Sequence, residues 1–300
     1  MRGLASGKYT DPKYGIKIKP KIVNVVVTYV RPGQTERCRA RSTISDSYVD
    51  YTENKLETIK FNLACHKHYK SGVDYQIVIV DNESPDESTQ EYLKQLEKEG
   101  IKVIRRENVG FSFAGFKYAW EQLKNDYDYF LFTEQDGVPS KDNWLLEILQ
   151  KFHSEEDIGA VGNNVEKHNL TEVFGEIKEL CPYIKERNAI YNLDGHMTFT
   201  SSTILRQVDK IGGLFVLPVM GDKEAEKNEI TFQQPILELG YKITSFHDGN
   251  HRCYWDCYFL DEDPEHKNIP SGNITPIVLS HTRFFVLKDH FGWYKTDDLI

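Results

Sequence analysis

The chain has 300 residues, of which 39% are apolar and 28% charged. That composition supports one large or two modest domains with a buried core and excludes a chain disordered throughout. Lys and Arg number 37 against 46 Asp and Glu, a net charge of −9, which argues against a general nucleic-acid binder but not against a local anion pocket.

Residues 1–20 read as an N-terminal arm without an apolar signal core. Ile22 to Val30 is a β-branched run stopped by Arg31-Pro32-Gly33, the pattern of a buried strand. Residues 33–54 are polar and read as a long loop. A helix is expected from about Lys55 to Lys70, then a second buried strand from Tyr75 to Val80 that ends at Asp81-Asn82. Ser84-Pro85-Asp86-Glu87 has the form of a helix start, and Gly100 closes that helix. A short strand, Ile101 to Arg105, follows. After Asn108-Val109-Gly110 comes a helix from about Ser112 to Lys124. Tyr127 to Thr133 is a fourth strand, ending at Glu134-Gln135-Asp136-Gly137. Trp144 to Phe152 reads as a helix and Ile158 to Val161 as a strand.

Alternating strands and helices predict a parallel sheet with helices on both faces. Ligands in such sheets sit at the carboxyl ends of the strands. Tyr29, Asp81 and Asp136 all fall at such ends. Beyond residue 162 the alternation breaks, and the segment 223–239 reads as an acidic helix. The five cysteines are scattered, which fits free thiols better than a disulfide framework. No stretch reaches the ~18 apolar residues of a membrane span. A cytoplasmic location is expected, with peripheral contact at a membrane left open by the aromatic and basic run Phe284 to Tyr294.

Glu134 and Asp136 are two carboxylates two residues apart at a strand end. Hard cations such as Mg²⁺ and Mn²⁺ take oxygen ligands of this kind. Alternation would turn both to one side if the strand persisted. A solvated turn is the competing reading.

These segments together resemble family-2 glycosyltransferases of the GT-A fold, over roughly residues 22–245. The resemblance is carried by VVVTYVRP at 25–32, VIVDNESPDEST at 78–89, ENVGFSFAGFKYA at 107–119, YDYFLFTEQDGVP at 127–139, and the stretch from Gly195 to Gly213. The TEQD form, with Asn-Val-Gly-Phe before it, is most similar to the bacterial rhamnosyltransferase branch. The resemblance implies a Rossmann-like α/β catalytic domain at 21–245, with a nucleotide-sugar half to about 162 and an acceptor half from 163. A C-terminal extension, 246–300, would pack on it.

It also implies a nucleotide-sugar donor held by Thr28, Tyr29, Arg31, Asp81, Asn108, Gly110 and Gln135. Asp81 would accept a hydrogen bond from the pyrimidine base. Asp136 and Glu134 would hold Mn²⁺ or Mg²⁺, with Glu134 standing where the family usually has Asp, and His251 would complete the set ahead of His247 or His281. Phe116 stands where the family often has Asn. The family's base lies on the helix that ends in Gly-Tyr-x-Ile, here Gly240 to Ile243. Counting back gives Glu229, with Asp222 and Glu224 as rivals. Trp144, Tyr254, Trp255, Tyr258 and Trp293 are candidates for stacking on an acceptor sugar, with core packing the competing reading of at least equal weight.

The expected function is inverting transfer from a nucleotide sugar, with dTDP-L-rhamnose preferred, to an oligosaccharide or lipid-linked glycan. UDP-galactofuranose, UDP-glucose and UDP-N-acetylhexosamines are alternative donors. A sugar nucleotidyltransferase is a weaker rival, because TYVRPGQTER after the first strand has one Gly only. A non-catalytic binding protein on the same fold is the third reading.

Overall fold

The computed structural model describes residues 9–10, 17–28, 37–41, 48–52, 55–135, 137–139, 141–163, 165–169, 177, 180–184, 189–193, 197–217, 222–246 and 277–279. Its centre is a seven-stranded sheet. In chain order the strands are β1 (Ile22–Thr28), β2 (Gln76–Asn82), β3 (Lys102–Arg106), β4 (Tyr129–Glu134), β5 (Ile158–Gly162), β6 (Met197–Ser201) and β7 (Lys242–Ser245). Their spatial order is β7-β5-β6-β4-β1-β2-β3. β4, β1, β2 and β3 pair in parallel, as do β5 and β7. β6 runs antiparallel to both its neighbours. The expected mostly parallel α/β sheet is therefore present.

The helices are α1 (Lys55–His68), α2 (Glu87–Lys98), α3 (Phe111–Leu123), α4 (Trp144–Phe152), α5 (Ser202–Lys210), α6 (Asp222–Phe232) and α7 (Gln234–Glu238). Side-chain contacts place them on both faces. His66 of α1 bonds Asn24 of β1, whereas a Cβ on Gly115 of α3 would lie 2.9 Å from Val27. Positions 24 and 27 of one strand face opposite ways, so α1 and α3 flank β1 from opposite sides. α6 shares the α3 face, where Phe232 meets Phe113, Phe116 and Phe132.

β1 is buried along its whole length, as its continuous apolar run requires. One of its two buried polar residues, Asn24, is satisfied within the layer. It accepts from the Thr133 hydroxyl at 3.0 Å and contacts the His66 Nε2 at 3.1 Å. α2 starts as its sequence predicts. Asp86 is the N-cap and accepts from the Thr89 amide at 2.7 Å. Gly100, in the left-handed region at φ 89°, ends it.

One expectation changes and one open choice closes. Residues 33–54 are not loop throughout, because Arg37–Arg41 and Tyr48–Thr52 pair as an antiparallel ribbon. Trp144 is fully buried against His66 and Tyr75, so it packs the core and presents no face to a sugar. Late in the chain, Ile277–Leu279 pairs antiparallel with Gly137–Pro139. No described helix is long and apolar enough to cross a membrane.

Candidate active site

Three adjacent parallel strands bring their carboxyl ends to one edge. Thr28 at the end of β1 is in register with Asp81 of β2, and Val27 with Glu134 of β4. The Gln135 amide continues the ladder, donating to the Val27 carbonyl at 3.0 Å. Its side chain turns back, and Gln135 Oε1 accepts from the Thr28 hydroxyl at 2.5 Å. Thr28, Asp81 and Gln135 are all buried. Gln135 is thus a strut that fixes the end of β4. Gly137, two residues on, is held as well: the buried Asn62 of α1 donates to its carbonyl at 2.8 Å.

Asp81 is 1% exposed. One oxygen accepts from the Ser84 amide at 3.1 Å and the other from Gln90 Nε2 at 2.9 Å. Those bonds fix the plane of the carboxylate. Each oxygen retains acceptor capacity, since a carboxylate offers about four lone-pair directions.

Asn108 and Gly110 lie beside this edge, in the turn that opens α3. The Asn108 amide reaches Glu83 Oε2 at 3.5 Å, and its side-chain oxygen is buried without a protein partner. Gly110 has φ 76° and the next residue, Phe111, φ 49°. A Cβ on Gly110 would lie 2.8 Å from that of Ala114 and 3.1 Å from the Leu217 carbonyl. Conformation and space both require glycine there.

Glu134 follows Phe132, whose ring meets Phe116 and Phe232. Its position therefore lies on the α3 and α6 face of the sheet, opposite to Thr133. Glu229 is half-buried on α6, next to Asn228. Asp222 is the first residue of the same helix, about two turns away from Glu229. The structure thus brings Thr28, Asp81, Gln135 and Glu134 to one edge, with Asn108 and Gly110 beside it; α6, which carries Glu229, packs against α3. Tyr29, Arg31, Asp136 and His251 lie outside the described residues, as do His247, Tyr254, Trp255, Tyr258, His281 and Trp293.

Several residues at this edge escaped the sequence reading. Arg106 is half-buried, and burial without a carboxylate bonded to it lowers its pKa. Its Nη1 donates to Asn82 Oδ1 at 2.7 Å and its Nη2 to the Val109 carbonyl at 2.8 Å. Asn82 in turn donates to the Phe111 carbonyl at 3.0 Å. The available signal was weak: an amide at the end of an apolar strand and a cation at the end of a mixed one, KVIRR.

Among the described residues, no group of three His, Cys, Asp or Glu side chains could hold a metal ion. Glu134 supplies one hard oxygen donor at the strand end, and Asp136 follows it two residues on in the sequence. That donor chemistry fits Mn²⁺ or Mg²⁺.

A family description, Glycosyl transferase family 2, matches residues 51–213. That is more than half of the chain, and it includes Asp81, Asn108, Gly110 and the Glu134-Gln135-Asp136 turn. The chain belongs to glycosyl transferase family 2, and its sheet is the GT-A form of the α/β fold. No curated protein sequence matches it.

Among solved structures, it is similar to a mannosyltransferase of Pyrobaculum calidifontis in complex with GDP-Man and Mn²⁺ (14% identity, TM-score 0.43, 77% of this chain and 56% of that one). It is also similar to residues 1–349 of TarS from S. aureus in complex with UDP-GlcNAc (14%, 0.39, 71% and 54%). A cytidylyltransferase of Leptospira borgpetersenii matches at 15% identity and TM-score 0.38, over 79% of this chain and 80% of that one. The chain spans just over half the length of the first two. No donor or metal passes to this chain from likenesses at these scores.

Proposed function

We propose that this protein is a nucleotide-sugar-dependent glycosyltransferase that inverts the transferred sugar. One observation carries the reading. A buried, doubly oriented Asp81 sits in register with Thr28 at the carboxyl edge of the sheet, beside the Glu134 turn, in a chain of this family.

In this reading Asp81 accepts the base N–H of a pyrimidine nucleotide, and Thr28, Tyr29 and Arg31 line the same end of β1. Asn108 and Gly110 let backbone approach the diphosphate closely, and Gln135 keeps the turn in place. A divalent cation, Mn²⁺ or Mg²⁺, held by Asp136 and Glu134 with His251, would supply positive charge for the leaving diphosphate. Glu229, with Asp222 as the rival, takes the proton of the acceptor hydroxyl. The hydroxyl oxygen bonds to the anomeric carbon from the face opposite the phosphate. The anomeric carbon–oxygen bond breaks, its electron pair leaves with the nucleoside diphosphate, and configuration inverts. One base suffices for such a direct displacement.

The preferred donor is dTDP-L-rhamnose and the preferred acceptor an oligosaccharide or lipid-linked glycan. UDP-galactofuranose, UDP-glucose and UDP-N-acetylhexosamines are the alternatives. The domain reading places residues 21–245 as the catalytic unit and 246–300 as an extension on it, at the cytoplasmic side of a membrane where a lipid-linked acceptor is used.

The test is a thermal-shift screen of dTDP, UDP, GDP and their sugars, with and without Mn²⁺. A ligand at 100 times its Kd stabilises by about 2.7 kcal/mol. A metal-dependent shift with one nucleotide is expected, lost in Asp136→Ala together with transfer. Full activity of Asp136→Ala would remove Asp136 from the chemistry. No shift with any nucleotide would overturn the reading.

A further inference from the structure

The turn that opens α3 is held in an unusual way. Three consecutive carbonyls each accept a bond from a side chain. Val109 receives Arg106 Nη2 at 2.8 Å, Gly110 receives Asn228 Nδ2 at 3.3 Å, and Phe111 receives Asn82 Nδ2 at 3.0 Å. Arg106 also donates to Asn82, at 2.7 Å, so two of the three donors brace each other. The peptide planes they fix flank two left-handed residues, Gly110 and Phe111. A non-glycine residue in that region is costly unless its surroundings hold it.

Two of the donors belong to the nucleotide half, on β2 and β3. The third crosses from α6. Asn228 is fully buried, and its amide makes further bonds to the segment before α6. Its oxygen accepts from the Leu217 amide at 2.6 Å, and its nitrogen donates to the Leu217 carbonyl at 3.0 Å. Leu217 and Phe111 pack together as a small apolar cluster with Phe215. The 215–217 segment, the α3 turn and α6 are therefore one packed unit, and Asn228 is its polar centre. The next residue on α6 is Glu229.

We propose that Asn228 is a positioning residue that locks the 108–111 turn to α6, so that the donor-side backbone and the carboxylate of Glu229 hold one relative placement. This rests on the functional reading above for the roles of the turn and of Glu229. The lock itself rests on the bonds alone. Removing the Asn228 amide leaves the buried Gly110 carbonyl without its side-chain donor and unties Leu217. The turn loosens while the sheet beneath it stays intact.

Hydrogen–deuterium exchange on the full chain, read by mass spectrometry, tests the lock. In Asn228→Ala, amides of residues 110–115 should exchange at least tenfold faster, with those of β1 and β4 unchanged. Arg106→Met, at a half-buried site, should produce the same local pattern and covers the case in which Asn228→Ala does not fold. Thr231→Val is the control on the same helix. It removes a hydroxyl that bonds the Lys227 carbonyl at 2.9 Å and lies 3.4 and 3.5 Å from the Asn228 and Phe215 carbonyls; it leaves every bond of the Asn228 side chain in place, and it should leave 110–115 as in the wild type.

The second arm measures release of the nucleoside diphosphate from UDP-glucose and dTDP-rhamnose with Mn²⁺. Asn228→Ala should raise KM at least tenfold and lower kcat as well, whereas a merely structural lesion lowers the active fraction and cuts kcat at constant KM. Unchanged exchange at 110–115, acceleration spread over the whole chain, or a loosened turn with wild-type KM would each overturn the proposal. If the wild type neither binds nor turns over any nucleotide sugar, the functional reading fails. The exchange arm then decides the lock by itself: a loosened turn keeps it and a silent one removes it.

Discussion

His66 makes the stability of this protein depend on pH in a calculable way. It is fully enclosed between α1 and the sheet, with Tyr75 and Trp144 against its ring. The Asn24 amide is oriented by Thr133, which donates to its oxygen. Asn24 Nδ2 therefore faces His66 Nε2, which accepts, and Nδ1–H points to the Tyr75 oxygen at 3.0 Å. A proton added at Nε2 would meet a donor in a desolvated site. Burial accordingly lowers the His66 pKa from 6.5 to about 3. The unfolded chain binds this proton more readily than the folded one, so stability is full above pH 6.5 and falls as pH drops toward 3. Between pH 7.5 and pH 5 the loss from His66 alone is about 2 kcal/mol, from 1.36 kcal/mol per pH unit over the 1.5 units below 6.5. Urea melts at the two pH values measure it. His66→Gln removes the titration, and its stability difference between the two pH values should be about 2 kcal/mol smaller than that of the wild type, whatever the substitution costs outright. Equal pH differences in the two proteins would refute the enclosed neutral imidazole.

Three further outcomes follow from the same contacts. Gly115→Ala should cost about 1–3 kcal/mol by overpacking, because its Cβ would fall 2.9 and 3.0 Å from the two methyls of Val27; chemical denaturation reads it, and an unchanged midpoint would show that β1 yields. Asp86→Ala should lose about 1 kcal/mol of helix capping with nucleotide binding intact, read by thermal melts alongside the ligand screen. Asp81→Ala should abolish nucleotide-dependent stabilisation while the apo protein stays folded. A full shift in that variant would take Asp81 out of the donor site.

The strand ends were legible because their signals are local. A β-branched run closed by Arg-Pro-Gly, or an apolar run closed by Asp-Asn, can be read within ten residues, and Thr28, Asp81 and Gln135 lie where those endings put them. The ribbon at Arg37–Arg41 and Tyr48–Thr52 was missed because alternating Arg with Cys and Ala carries no apolar face to count. Trp144 stood between sugar stacking and the core because an aromatic's identity says nothing of which side of α4 it occupies.

The supports of the site were illegible for a different reason. Asn62, Asn82, Arg106 and Asn228 act by donating to backbone carbonyls, and any residue type presents such a carbonyl. The partner therefore leaves no mark in the sequence. Asn228 lies 118 residues from Gly110, and only the packing of α6 against α3 brings the two together. Asn228 itself sits in DKEAEKNE, which reads as a solvated helix face. What separates it from its charged neighbours is burial imposed by Leu217 and Phe111. Residue types thus announce the groups proposed to meet a ligand, since their chemistry is specific. The groups that hold those in place are amides and guanidinium groups chosen for reach, and their role emerges only once the helices have docked.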